Sequence, residues 1–147
     1  MKVAIGCDHA AYEAKEEVKV YLEDNGHEVI DMGCHSLEST HYPIYAKAVV
    51  NSLLNGEVER GVLICGTGIG MSITANKFKG IRAALCHDDF TAAAGREHND
   101  ANILCMGARV IAVKQMKSML DYFFCTEFGG GRHQIRLDMI NDLDNGR

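Results

Sequence analysis

The most chemically suggestive stretch is Gly61-Val62-Leu63-Ile64-Cys65-Gly66-Thr67-Gly68-Ile69-Gly70-Met71, an apolar run that ends in a thiol and passes straight into a glycine loop. Glycines lack a Cβ, so successive amides can turn toward one point, and a helix that follows adds unpaired N–H groups. Such a loop suits an anion. It lacks the lysine and hydroxyl of G-x-x-x-x-G-K-[ST], and the dinucleotide pattern G-x-G-x-x-G fits poorly, because its third glycine is absent near Ile73 and the CGTGIG spacing is shorter. A thiol near a helix N-terminus ionises more readily than a free one. Cys65 in that setting is a candidate nucleophile or proton-abstracting base; the plainer alternative is an inert core thiol at a strand end.

Two further clusters could act with it. In Arg96-Glu97-His98-Asn99-Asp100-Ala101-Asn102, His98 can give and take a proton near neutral pH, and Asn99 can orient a hydroxyl. Both could instead cap a turn. In Arg132-His133-Gln134-Ile135-Arg136, the two arginines stand four apart on one helix face, a spacing that suits a phosphate as well as plain solvation. Together the clusters suit proton transfer on a phosphorylated sugar: arginines hold the phosphate, a thiolate takes the proton, and loop amides stabilise the enediolate. A metal is not expected, because the pairs Cys7/His9, Cys34/His35 and Cys86/His87 have no standard zinc spacing.

Short apolar runs alternate with stretches of helical periodicity, which predicts an α/β fold with a parallel sheet. The expected strands are Val3 to Gly6, Glu28 to Asp31, Gly61 to Cys65, Arg82 to Cys86 and Asn102 to Met106. Expected helices cover Ala11 to Asp24, Ile44 to Leu54 behind Pro43, Met71 to Asn76, Asp88 to Glu97, Val113 to Cys125, and Arg132 to Leu143. The last carries the stripe Ile135, Met139, Ile140 and Leu143. Ligands of open parallel sheets bind beyond the carboxyl ends of the strands. Cys7-Asp8-His9, Cys65 to Gly70, and His87-Asp88-Asp89 occupy such ends.

A chain of 147 residues fits one domain, 1–147, with no linker or internal repeat. The net charge of -5 argues against nucleic acid or an anionic membrane as partner. No apolar run approaches the roughly 20 residues of a membrane span, and the start becomes charged too soon for a secretory signal, so a cytoplasmic location is expected. The six cysteines form no C-x-x-C pair and read mostly as buried thiols, Cys105 being the plainest.

The blocks GCDHAAYE, ICGTGIGMSITANK, REHNDANILCMGARV and FGGGRHQIR, in this order over nearly the whole chain, resemble ribose-5-phosphate isomerase type B. That family also contains galactose-6-phosphate and allose-6-phosphate isomerases. The resemblance implies a Rossmann-like three-layer sandwich with a mostly parallel five-stranded sheet and a C-terminal helix. It implies a homodimer or dimer of dimers with shared active sites, a phosphorylated sugar as substrate, and no cofactor.

By the same resemblance Cys65 abstracts the proton, Thr67 positions the thiol, and His98 assists ring opening. Asp8, His9, Gly66, Gly68, Ile69, Gly70, Asn99, Arg109, Arg132 and Arg136 contact substrate, some of the arginines across a subunit boundary. Cys34 stands where relatives commonly carry threonine, and Thr40-His41-Tyr42-Pro43 is reminiscent of the galactose-6-phosphate branch. The expected reaction is interconversion of ribose 5-phosphate and ribulose 5-phosphate. A hexose 6-phosphate isomerase, a sugar-phosphate binder without turnover and a thiol hydrolase are the alternatives.

Overall fold

The structure, a computed structural model, describes residues 1–146. Five strands, β1 (Lys2–Cys7), β2 (Glu28–Asp31), β3 (Arg60–Cys65), β4 (Ala83–Leu85) and β5 (Ile103–Gly107), form one sheet in the order β2-β1-β3-β5-β4. Every pairing is parallel, with Ile5 opposite Val62, Leu63 opposite Cys105 and Ala84 opposite Leu104. The helices are α1 (Tyr12–Asp24), α2 (Tyr42–Leu54), α3 (Ile69–Ala75), α4 (Asp89–Glu97), α5 (Val113–Cys125) and α6 (Arg132–Asn145).

Strand residues alternate between two cores, as the two-residue period requires. Val3, Ile5, Val62, Ile64, Leu104 and Met106 pack with Val18 and Leu22 of α1 and with Met116, Leu120 and Phe123 of α5. Ala4, Leu63, Cys65, Ile103 and Cys105 face Val49 and Val50 of α2 and Met71 of α3. Covering both faces explains why β1, β3 and β5 read as near-continuous apolar runs. Cys105 is fully buried, and burial pushes its thiol pKa up.

Element boundaries moved where glycine or a cap decides them. Helix α3 begins at Ile69, inside the glycine loop rather than after it, because Gly68 supplies the left-handed turn (φ 78°) from which the helix starts. Asp88 caps α4 by accepting the Thr91 N–H at 2.7 Å, so the helix proper begins at Asp89. The edge strand β4 is only three residues long, ending at Leu85 before the predicted Cys86.

Helix α6 forms as its periodicity predicts, but this chain leaves most of its apolar stripe uncovered. Leu137 is its one buried residue, whereas Ile135, Met139 and Leu143 are 65–69% exposed. The helix is tied at its far end, where Asp144 accepts the Gly80 N–H at 2.9 Å and Lys79 donates to Asn145 at 2.6 Å. Between them, Ile140 and Leu143 line a groove with Ile81, Ala83 and Ala84 of the β4 edge. Among the described residues no helix is long and apolar enough to cross a membrane.

Candidate active site

Cys65 is the last residue of β3 and 4% exposed. The chain turns so tightly after it that the Gly68 N–H points back at its sulfur, 3.1 Å away. The turn passes close over β5: a Cβ on Gly107 would lie 2.6 Å from the carbonyl of Thr67, so only glycine admits the loop there. Thr67 itself is exposed, and its Oγ1 accepts the Ile69 N–H at 3.3 Å. Arg109 follows β5, donates its backbone N–H to the Gly66 carbonyl at 2.9 Å, and lays its guanidinium against Gly66.

Asp8 and His9 stand at the same edge, just beyond β1. Asp8 is nearly buried and caps a turn by accepting the Ala10 N–H at 3.1 Å. The Nδ1 of His9 accepts the Thr40 N–H at 3.1 Å, which leaves Nε2 as the ring's donor in the neutral form. Thr40 in turn meets the Tyr45 hydroxyl at 3.1 Å, and the Tyr42 ring lies over Gly70. Sequence reasoning passed over Thr40, Tyr42 and Tyr45 as site residues; the signal for the first two was the departure at positions 40–43, visible but without a role.

The loop bearing Thr40 is anchored by Lys15, a residue that helical periodicity alone reads as solvated. Its ammonium is fully buried and donates to both Asp31 oxygens (2.9 and 2.8 Å) and to the Cys34 carbonyl (2.8 Å), with Glu16 at 2.9 Å. Burial alone would lower the Lys15 pKa, but Asp31 and Glu16 outweigh it and raise it above 10.5. Burial would likewise raise Asp31, but hydrogen bonds from Lys15 and the Gly33 N–H, with the charge of Lys19, hold it below 3.8.

Lys15→Met is therefore expected to lower stability by ~3 kcal/mol near neutral pH, since removing one partner strands the other beside apolar surroundings. Urea unfolding measures it. Because the folded Asp31 pKa is depressed, its share is present above about pH 4 and lost as pH falls through the folded value. The Lys15 share is present below its unfolded value and lost as pH rises through the raised folded one. The difference between wild type and variant should thus be flat across neutral pH and shrink on acidification.

His98 and Asn99 lie elsewhere. They follow α4, whose direction returns the chain to the amino ends of the strands, and Arg82, which precedes β4, donates to the Asn99 carbonyl at 3.0 Å. At about 3.3 Å per residue, β5 separates that edge from Cys65's edge by roughly 15 Å. The turn is framed by Asp100, in left-handed backbone (φ 45°), which bridges Arg82 (3.0 Å) and the buried Arg96 (2.8 Å).

The start of α6 joins this second cluster. The His133 ring stacks on His98 with centroids 4.5 Å apart, and Gly129 donates to the Glu97 carbonyl at 2.9 Å. Arg132 and Arg136 flank His133 and are exposed. Desolvation first, then His98 and these arginines, hold the His133 pKa below 6.5. The expected site residues therefore form two groups in one chain: Asp8, His9, Cys65 to Gly70 and Arg109 at the carboxyl edge, and His98, Asn99, Arg132 and Arg136 at the opposite edge. The chain alone does not bring them together.

Among the described residues, no three His, Cys, Asp or Glu side chains are grouped to hold a metal ion. The family model for ribose/galactose isomerases matches residues 3–140. Ribose-5-phosphate isomerase B of Escherichia coli is 44% identical over 146 residues, which is 99% of this chain and 98% of that one. The structure of the Clostridium thermocellum ribose-5-phosphate isomerase B superposes with a TM-score of 0.98 at 44% identity, covering 99% of each chain. That of the Mycoplasma genitalium enzyme with bound ribulose-5-phosphate superposes at 0.95 with 34% identity, over 99% of this chain and 97% of the other. With a thiol cradled by a glycine loop at the end of β3 and likeness along its whole length, this chain belongs to the ribose/galactose isomerase family.

Proposed function

We propose that the protein is a cytoplasmic sugar-phosphate isomerase, folded as a single domain over 1–147, that interconverts ribose 5-phosphate and ribulose 5-phosphate in a homodimer with shared sites. The observation that carries this reading is the Cys65 sulfur at the mouth of the Gly66–Gly70 loop, accepting an amide N–H at 3.1 Å. A thiolate so placed removes the C2 proton of the open aldose, and the electron pair moves onto the C1 oxygen to give an enediolate. Passage of the O2 proton to O1 and return of a proton to C1 complete the ketose. Amides of the loop, with Thr67 beside them, are placed to stabilise the charge that develops on oxygen.

The second cluster supplies what the first lacks. His98 has the chemistry to shuttle the proton that opens the furanose ring, Asn99 to hold a hydroxyl, and Arg132 and Arg136 to bind phosphate. Because they lie at the other edge of the sheet, they serve the Cys65 site of a second copy. The exposed stripe of α6, next to those arginines, supports such a contact, since apolar side chains on a helix that begins at the site are covered at low cost by a partner.

Isomerisation of ribose 5-phosphate in deuterium oxide tests the chemistry. Deuterium should enter C1 of ribulose 5-phosphate and, on reversal, C2 of ribose 5-phosphate. A ketose formed without label would mean that the hydrogen passes from C2 to C1 without reaching solvent. Binding without turnover would make the protein a sensor, and turnover confined to galactose 6-phosphate or allose 6-phosphate would move the substrate to a hexose.

A further inference from the structure

Cys7 and Cys34 play no part in the proton transfer, yet their sulfurs lie 3.7 Å apart, the closest approach of two thiols given by any hydrogen-bond contact among the described residues. Cys7 ends β1, immediately before Asp8 and His9. Cys34 sits in the loop after β2, and the backbones of the two are joined by Cys34 N–H to the Cys7 carbonyl (2.9 Å) and Cys7 N–H to the Gly33 carbonyl (2.7 Å). Both side chains therefore face one another from adjacent, hydrogen-bonded backbone. Cys7 is fully buried, whereas Cys34 is 4% exposed and lines a cavity with His35, Ser36, Thr40 and Tyr45.

We propose that Cys7 and Cys34 are a modification site that takes a peroxide and closes to a disulfide, reversibly lowering isomerase activity by displacing the Asp8-His9 segment. Cys34, which reaches the cavity, attacks one peroxide oxygen; the O–O bond breaks, and Cys34 becomes a sulfenic acid as the other oxygen leaves as water. The Cys7 sulfur then attacks the Cys34 sulfur. The S–S bond forms, the S–O bond breaks, and the departing hydroxide takes the Cys7 proton as a second water. Two thiols lose one electron each, and one peroxide gains two. The order follows from access, and burial, with Cys34 adding to it, pushes the Cys7 thiol pKa up, which keeps Cys7 from reacting first.

Closure has a direct route to the substrate pocket. The sulfurs must approach from 3.7 Å to about 2.05 Å. Cys7 pulls on Asp8 and His9, while Cys34 pulls on the loop whose Thr40 N–H holds His9 Nδ1. Lys15, bonded to the Cys34 carbonyl, resists from below, so the strain falls on the His9 side.

Treatment with hydrogen peroxide, followed by alkylation and peptide mapping, reads the chemistry without reference to activity. The expected product links the peptide holding Cys7 to that holding Cys34, two hydrogens lighter than the reduced pair, and dithiothreitol reverses it. In step with the link, kcat/KM should fall roughly tenfold or more, since misplacing a positioned group by about 1 Å can cost up to 10²-fold. Cys34→Ser, which keeps a donor toward the Ser36 carbonyl, and Cys7→Ala as a second variant should keep basal activity and lose the dithiothreitol-reversible part of the inhibition. Loss that persists in both variants belongs to a thiol outside this pair, Cys65 or the exposed Cys125. Absence of the Cys7–Cys34 link, or a link that leaves kcat/KM unchanged, overturns the proposal; the mapping stands apart from the isomerase reading, on which only the activity arm rests.

Discussion

Cys65→Ala is expected to lower turnover of ribose 5-phosphate by roughly 10²- to 10⁴-fold, the share that a positioned proton-transfer group contributes. No other ionisable side chain bonds to the Gly66–Gly70 loop among the described residues, so nothing adjacent takes over the proton. The alanine variant also removes the acceptor of the buried Gly68 N–H, and an orphaned donor costs about 1–3 kcal/mol. Loop geometry and basicity are thus lost together. Cys65→Ser separates them, because a hydroxyl still accepts from Gly68 but scarcely ionises at neutral pH. The serine variant should unfold close to wild type in urea and still be severely impaired. A serine variant with near-normal turnover would remove Cys65 as the base, whereas activity lost only in alanine would make the sulfur a prop for the loop.

The carboxyl-edge half of the site was legible because its parts are local. A strand that ends in a thiol, followed by glycines and a short helix, is contiguous in sequence, and its geometry follows from the tight turn that Gly68 permits. Strand positions were legible too, since burial on both faces writes an apolar run into β1, β3 and β5. Lys15 was hidden in the pattern of α1, where Ala14, Val18 and Leu22 are the apolar face and a lysine reads as solvated. Its partners Asp31 and Cys34 come from the neighbouring strand and loop, which only the folded sheet brings near.

The separation of His98 from Cys65 was available in principle. In a parallel βα unit the helix carries the chain back, so a residue between α4 and β5 must lie at the amino edge, away from the end of β3. Grouping His98 with Cys65 by their chemistry alone passed over this. The stripe of α6 was legible as a helix, but helical periodicity shows that a face is apolar, not that this chain covers it. Both features point the same way, since the uncovered helix begins beside His98, at the sheet edge opposite Cys65.

Mixing two inactive variants is the sharpest measure of that arrangement. Cys65→Ala removes the thiol of a subunit's own carboxyl-edge site but leaves its His98, Arg132 and Arg136 intact; His98→Asn does the reverse. In a mixed dimer one site combines both lesions and is dead, while the other combines an intact Cys65 with an intact His98. Refolding the variants together in equal amounts makes half of the dimers mixed, each with one restored site, so activity should return to about one quarter of wild type for a two-fold symmetric pair. Arg132→Ala should complement Cys65→Ala in the same way, because Arg132 begins the helix whose His133 stacks on His98. Cys65→Ala mixed with Cys65→Ser should recover nothing, which controls for refolding. If no activity returns in any mixture although mixed dimers form, each chain must complete its own site, and the roughly 15 Å between the sheet edges would then have to be closed by movement within one subunit. Recovery near one quarter would instead assign the thiol and the ring-opening histidine to different copies, and would make assembly a condition of catalysis.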